Sequence, residues 1–198
     1  MILQFTRNLE HFPFGSIGAV QQLQQVIPQL FPKGKWLKFT STQQELYFCR
    51  SFLFPELARS YYFDPESQLL FVMGMHDHLH VLSYKNLEEV QSALEILHSN
   101  LKFAYDPNFG YLTSALQMSG TGLKVRFFHE VLLPQNKDSI EVIPYNGGFI
   151  YQNNYSIGYL ETTLIQEVQD VQKKILSLTS KQYDSPQTVA QKTFDASN

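Results

Sequence analysis

Residues 108–124 read Asn108-Phe109-Gly110-Tyr111-Leu112-Thr113-Ser114-Ala115-Leu116-Gln117-Met118-Ser119-Gly120-Thr121-Gly122-Leu123-Lys124. Tyr111–Ser114 reads as a short buried segment. Gly120-Thr121-Gly122 reads as a tight turn that is either purely structural or lined with backbone N–H groups for a phosphate. The turn leads into Leu123–Leu133, whose imperfect alternation predicts a strand. Upstream, Asn86–Phe103 has the spacing of a helix. Asn86 is its N-cap, Glu88 and Glu89 sit in its first turn, and Leu87, Val90, Leu94, Leu97 and Leu101 form its stripe. Before it, Tyr61–Phe63, Leu69–Met73 and His78–Tyr84 are β-rich. Asp64-Pro65-Glu66-Ser67 is a turn, and a second turn falls near Gly74–Asp77. Downstream, Glu141–Pro144, Phe149–Tyr151 and Tyr155–Ile157 are short strands, the first two around Gly147-Gly148. Thr162–Leu178 is a long amphipathic helix through Leu164, Ile165, Val168, Val171, Ile175 and Leu178.

The N-terminal stretch reads differently. Met1–Gly18, with Pro13, Gly15 and Gly18, reads as an arm or loop. Ala19–Leu30 is helical through Val20, Leu23, Ile27 and Leu30, and Pro32-Lys33-Gly34 stops it. Thr42–Leu57 predicts a second helix, with Thr42 and Glu45 at capping-box spacing. Helices first, then strands with helices against one face, give an α+β class. The expected organisation is a small helical N-terminal part over 1–60, an antiparallel β-sheet domain flanked by helices over 61–180, and a polar, frayed tail over 181–198.

Composition bounds the chemistry. Apolar residues make up 43% of the 198, enough for a sizeable core. The net charge of −3 argues against a general phosphate-backbone binder, so no nucleic acid is expected. Of 15 basic residues only four are arginine: Arg7, Arg50, Arg59 and Arg126. The single cysteine, Cys49, excludes an intramolecular disulfide framework and reads as a small buried hydrophobe. No apolar run approaches the roughly 20 residues of a membrane span. Met1–His11 carries Arg7 and Glu10 and lacks a signal-peptide core. A cytoplasmic protein without a membrane partner is the expectation.

Gly110-Tyr111-Leu112-Thr113-Ser114 followed by Gly120-Thr121-Gly122-Leu123-Lys124 resembles the signature of the ATP:guanidino phosphotransferases, the phosphagen kinases. It is most similar to their bacterial branch, the protein-arginine kinases, whose pattern is roughly G-Y-L-T-S-C-P-T-N-x-G-T-G-L-R. Other segments match in order. Thr6-Arg7-Asn8-Leu9-Glu10-His11-Phe12-Pro13-Phe14 resembles the A-R-N-L-x-x-x-P-F piece. Phe52–Ala58 and His76-Asp77-His78-Leu79-His80 resemble the family helix and its E-E-D-H-I-R strand. Ser156-Ile157-Gly158 with the last helix resembles the final strand and helix. The resemblance covers about residues 2–178 and implies the phosphagen-kinase catalytic fold.

Phosphoryl transfer to a guanidinium needs cationic clamps on the phosphates, Mg²⁺, and a carboxylate that orients and deprotonates the acceptor. The resemblance places family arginines where this chain has His80 and Lys124, and near Gln4 and Phe5. The carboxylate pair before Asp77 reads Met75-His76, and the family cysteine is Ala115. The R-G-x-x-G-E loop is missing, with Pro144-Tyr145-Asn146-Gly147-Gly148 standing nearby. The remnant nucleotide or phosphate cleft is therefore expected to draw on Arg7, His78, His80, Gly120, Thr121, Gly122, Lys124 and Arg126, with no residue assigned as catalytic.

These losses imply a catalytically inactive member, a pseudokinase acting as a binding or regulatory module. Its partner would be a protein, such as an active kinase relative or that kinase's activator, and a homodimer is compatible; no cofactor is expected. A divergent ATP-dependent guanidino or protein-arginine phosphotransferase, using ATP and Mg²⁺, stands as the alternative. A third reading rests on His76, His78 and His80. At i, i+2, i+4 on a strand they would share one face and offer a His-x-His metal site. The same residues also read as polar strand positions in the cleft.

Overall fold

The structure, a computed structural model, describes residues 1–44, 58–83, 87–132 and 138–183. In chain order its elements are β1 (Ile2–Arg7), α1 (Ile17–Leu30), β2 (Lys35–Leu37), β3 (Ser60–Asp64), β4 (Leu69–Met73), β5 (Leu79–Ser83) and α2 (Leu87–Asn100). The short pair β6 (Tyr105–Asp106) and β7 (Gly110–Tyr111) and a 3₁₀ turn at Leu116–Met118 follow. Then come β8 (Leu123–His129), β9 (Ile140–Tyr145), β10 (Gly148–Asn153) and α3 (Glu161–Tyr183). One eight-stranded antiparallel sheet has the order β2-β3-β4-β5-β1-β8-β10-β9. The α+β class and the helix-flanked antiparallel sheet are as expected.

The main correction concerns the first residues. Ile2–Arg7 is no arm: it is an inner strand, paired with β5 on one side and β8 on the other. All six residues are buried, with a paired strand along each edge and the core beneath Leu3 and Phe5. Leu3 and Phe5 do alternate with Gln4 and Thr6, the period of a strand. Pro13, Gly15 and Gly18, further along the same stretch, mask that signal. Strands β1 and β2 of the first sixty residues thus share one sheet with β3–β5 and β8–β10.

The alternation sorts the sheet into two faces. Leu3, Phe5, Phe71, Leu79, Val81, Leu123, Val125 and Tyr151 belong to the main core. Helix α1 adds Val20, Leu23 and Ile27 to it, α2 adds Val90, Leu94 and Leu97, and α3 adds Leu164, Val168 and Ile175. These are the apolar stripes the sequence shows, and burying each such side chain stabilises by about 1.5–3 kcal/mol. Ser16 caps α1, its hydroxyl accepting from Ala19 N–H at 3.4 Å. The opposite face carries a smaller cluster of Ile2, Tyr61, Leu70, Val72, Leu82 and Ile150, beside which the polar floor of a cleft opens.

Smaller departures have local causes. Tyr155–Ile157 is not a strand. The ladder between β8 and β10 ends in side-chain substitutes, with Asn153 accepting from Val125 N–H and donating to Leu123 O. Buried Ser156 then donates its N–H to Gln117 O at 2.9 Å. The last helix runs to Tyr183, past the point where fraying was expected. β5 is shorter than read, starting at Leu79. The turn over 64–67 holds through Asp64, whose carboxylate accepts from Ser67 N–H at 3.1 Å and from the Ser67 hydroxyl. Most of the Thr42–Leu57 helix (45–57, with Cys49 and Arg50), the Asn86 cap, the end of Leu123–Leu133 and the tail from 184 lie outside the described residues.

Candidate functional site

The cleft lies on the sheet face away from the helices and has a volume of about 440 Å³. Its floor follows from the sheet register. Thr6 stands opposite His80, Gln4 opposite Lys124, Arg126 opposite Gln152, and Gln152 opposite Glu141. A polar row therefore crosses β5, β1, β8, β10 and β9. Met75, Ala115, Met118, Ile143 and Ile150 supply apolar walls. Of the residues the sequence singled out, His80, Lys124 and Arg126 line this cleft, as do Asp77 and His76. Gln4, Thr6, Glu141, Tyr145 and Gln152 also line it. The alternation of their strands places them there, but nothing in their spacing marked them as a site.

One end of the cleft is built around Asp77. One of its oxygens accepts from Asn8 Nδ2 and from Ser114 N–H, both at 2.6 Å, and the other accepts from the Ser114 hydroxyl at 2.7 Å. Asn8 Oδ1 in turn accepts from His78 N–H at 2.8 Å, and Asn8 Nδ2 also donates to Leu112 O. Leu9 N–H donates to His78 Nδ1 at 3.0 Å, which leaves His78 Nε2 to donate to Pro13 O at 2.7 Å. This network ties the end of β1, the β4–β5 turn and the 112–114 segment together, and it occupies both oxygens of Asp77 and both nitrogens of His78.

His80 is buried in the floor of the cleft. The Gln4 amide nitrogen can only donate, so its 2.9 Å contact with His80 Nδ1 leaves the ring proton on Nε2; Thr6 Oγ1 lies 3.0 Å from the same Nδ1. Burial pushes the His80 pKa down to about 4. Asp77 opposes the shift, while Arg126 and Lys124 add to it. The ring is therefore neutral at pH 7. Lys124 is half-buried and Arg126 is buried, so the positive charge of the floor sits on β8.

The structure does not bring the three histidines together. β5 starts only at Leu79, so His78 lies outside the strand and its ring packs on the 9–13 segment, whereas His76 and His80 face the cleft. Among the described residues no group of three His, Cys, Asp or Glu side chains is placed to hold a metal ion.

Arg7 is also outside the cleft. Its odd position on β1 turns it to the helix face with Leu3 and Phe5. There its Nη1 donates to Thr6 O and Thr121 O, both at 2.8 Å, and its guanidinium stacks 3.7 Å from the Tyr111 ring centroid. Its Nε donates to His98 Nε2 at 3.4 Å, and His98 Nδ1 lies 3.0 Å from the Tyr111 hydroxyl. Gly120, Thr121 and Gly122 are absent from the cleft lining as well. Their glycines answer to packing. A Cβ on Gly122, whose φ is +64°, would lie 2.7 Å from Thr6 O. Gly120 exchanges backbone hydrogen bonds with Tyr111 in both directions.

Residues 20–139 match the family model of the ATP:guanido phosphotransferase C-terminal catalytic domain. Among solved structures the chain is similar to the duplicated taurocyamine kinase from Schistosoma mansoni with bound transition-state-analogue components. The TM-score is 0.69 at 18% identity, over 84% of this chain and 30% of that one. The substrate-free form of that kinase gives 0.68 at 16%, over 89% and 31%. Lombricine kinase gives 0.70 at 15%, over 92% of this chain and 66% of that one. At such identities the likeness is one of fold. The chain spans under a third of the duplicated kinase and about two thirds of lombricine kinase. No curated protein sequence matches it.

Proposed function

The chain belongs to the ATP:guanido phosphotransferase family, and from that premise we propose that it is a catalytically inactive member working as a binding or regulatory module. The observation that carries this reading is the state of two groups in the cleft. His80, at a position where the family pattern has an arginine, is a buried neutral imidazole. Asp77, which matches a family aspartate, is tied by Asn8 and Ser114 into the wall of the cleft and has no neighbouring carboxylate pair, since Met75 and His76 precede it. A clamp and a base are each often worth about 10²–10³-fold or more in rate, so losing both removes most of the catalysis. The intact core and the open cleft retain what binding requires. A protein partner, such as an active relative or its activator, fits this role, and self-association into a homodimer is compatible with it.

A phosphotransfer assay with ATP and arginine, or an arginine-bearing protein, is expected to show no turnover above background. Turnover abolished by Lys124→Ala would overturn the proposal. The alternative, a divergent ATP- and Mg²⁺-dependent guanidino phosphotransferase, draws on Lys124 and Arg126 both lining the cleft. A nucleotide's phosphates could lie along that pair. Lys124 would act as a point charge, and Arg126 offers the bidentate fork. With no three-carboxylate cage among the described residues, any Mg²⁺ would be held chiefly by the nucleotide. Binding to the folded state raises its stability. A thermal shift with millimolar Mg·ATP, lost in Lys124→Ala, would favour that alternative.

A further inference from the structure

The helix face of the sheet holds a second, more open pocket of about 760 Å³. Gln91, Glu95 and His98 reach it from one side of α2, at i, i+4 and i+7. Glu161 enters from the first turn of α3, Arg7 from β1 and Tyr111 from β7. Arg7 is only 2% exposed, yet among the described residues no carboxylate comes within ion-pair distance of it, whereas buried charges are ordinarily paired. Its Nη1 and Nε donate to Thr6 O, Thr121 O and His98 Nε2, and Nη2 has no hydrogen bond to the protein among the described residues. A second donor stands beside it. Burial and the nearby Arg7 lower the His98 pKa, so the ring is neutral at pH 7. His98 Nε2 accepts from Arg7, so the ring proton is on Nδ1 and goes to the Tyr111 hydroxyl at 3.0 Å. The Tyr111 O–H is left to donate elsewhere. Glu161 does not supply the missing counter-ion: Gln91 Nε2 donates to its Oε2 at 2.9 Å, and it acts on Arg7 only at longer range. Glu95 stands exposed at the rim.

We propose that this pocket binds a free α-amino acid as its zwitterion. The ligand carboxylate accepts from Arg7 Nη2 and from the Tyr111 hydroxyl, and the ligand ammonium group lies against Glu161 and Glu95. The charges of the lining select this class. A bare anion would meet two carboxylates, and a bare cation would meet the buried guanidinium. A molecule that carries both charges a few bonds apart satisfies both sides. A carboxylate on Nη2 makes a charge-assisted hydrogen bond and gives Arg7 the counter-ion that the fold withholds. The rest of the guanidinium is already fixed by two backbone carbonyls, His98 and the Tyr111 ring, so Nη2 is held in place before the ligand arrives. The pocket lies on the face of the sheet opposite the cleft, and its occupancy is independent of whether the cleft transfers phosphate.

Isothermal titration calorimetry and thermal melts of the full chain with each of the common L-amino acids test this. At least one is expected to bind saturably and to raise the melting temperature. Its N-acetyl derivative, which lacks the ammonium group, and its amide, which lacks the carboxylate, should each bind more weakly by about tenfold or more. Glu161→Gln keeps an oxygen for Gln91 and removes the charge. Tyr111→Phe keeps the ring beneath Arg7 and removes the hydroxyl. Each is expected to weaken binding by about tenfold or more, with circular dichroism melts confirming that both variants fold. Lys124→Ala, in the cleft, leaves binding unchanged. No saturable binding of any of these amino acids up to about 10 mM, equal binding of either blocked derivative, unchanged binding in Glu161→Gln or Tyr111→Phe, or loss of binding in Lys124→Ala would each overturn the proposal. The phosphotransfer assay is read separately, so failure here leaves the reading of the cleft standing.

Discussion

Burial acts on His80 and on Arg7 in the same direction with opposite results. The His80 pKa falls to about 4 and the ring loses its charge at neutral pH; the Arg7 pKa falls to about 10 and the guanidinium keeps its charge. Because the folded-state pKa of His80 lies below its unfolded value near 6.5, the unfolded chain binds the extra proton. Stability is fully present above pH 6.5 and is lost as the pH falls toward 4, by on the order of 3 kcal/mol. Denaturant titrations across that range are expected to show the loss, and His80→Gln to flatten it. Arg7 lies on the helix face, outside the cleft. Arg7→Lys removes a donor shared by two carbonyls and the stack on Tyr111, and should cost about 2–4 kcal/mol in chemical denaturation without altering a ligand bound in the cleft. The sequence made both residues visible as positions on motifs that resemble the family's. It did not separate them, because which face of β1 a side chain takes is known only once the strand itself is recognised.

At the scale of elements, helix stripes were the most legible feature. Leu23, Val90, Leu97, Leu164 and Val168 are buried where their spacing put them. Leu164→Ala is expected to cost about 2–4 kcal/mol, read as a lowered denaturation midpoint. Strand pairs joined by local turns were legible as well, because Asp64–Ser67 and Gly74–Asp77 carry turn chemistry. Segments whose conformation depends on distant partners were not. The glycine pair around Thr121 invited a phosphate reading, yet Gly122 is required by the close approach of Thr6 O at 2.7 Å to any Cβ placed there. Gly122→Ala should therefore destabilise the fold by about 2 kcal/mol or more, measured by thermal melting, through both contact and positive φ. Pro144 sits on β9 at the sheet's edge, the place where a missing N–H is tolerated.

For the whole molecule, the sheet depends on its first strand. β1 joins β2–β5 to β8–β10, so the two halves of the sheet meet only through it. Deleting residues 1–7 is expected to abolish cooperative unfolding, whereas a chain ending after Tyr183 should keep its transition. Native-state hydrogen exchange should place the amides of β1 among the slowest. Among the described residues no helix is long and apolar enough to cross a membrane.

The sequence by itself determined the α+β class, the family and the helix stripes, because these are written in local periodicity and in contiguous motifs. Only the tertiary structure decided which polar residues meet. It set Gln4, His80, Lys124, Arg126, Gln152 and Glu141 side by side on one floor, turned Arg7 to the other face and kept His78 apart from His76 and His80. The physical reason is that a sheet joins strands far apart in the chain, and its period of two sends neighbouring residues to opposite faces. A one-residue difference in sequence thus becomes the difference between a cleft and a core, and only the register of the paired strands records it.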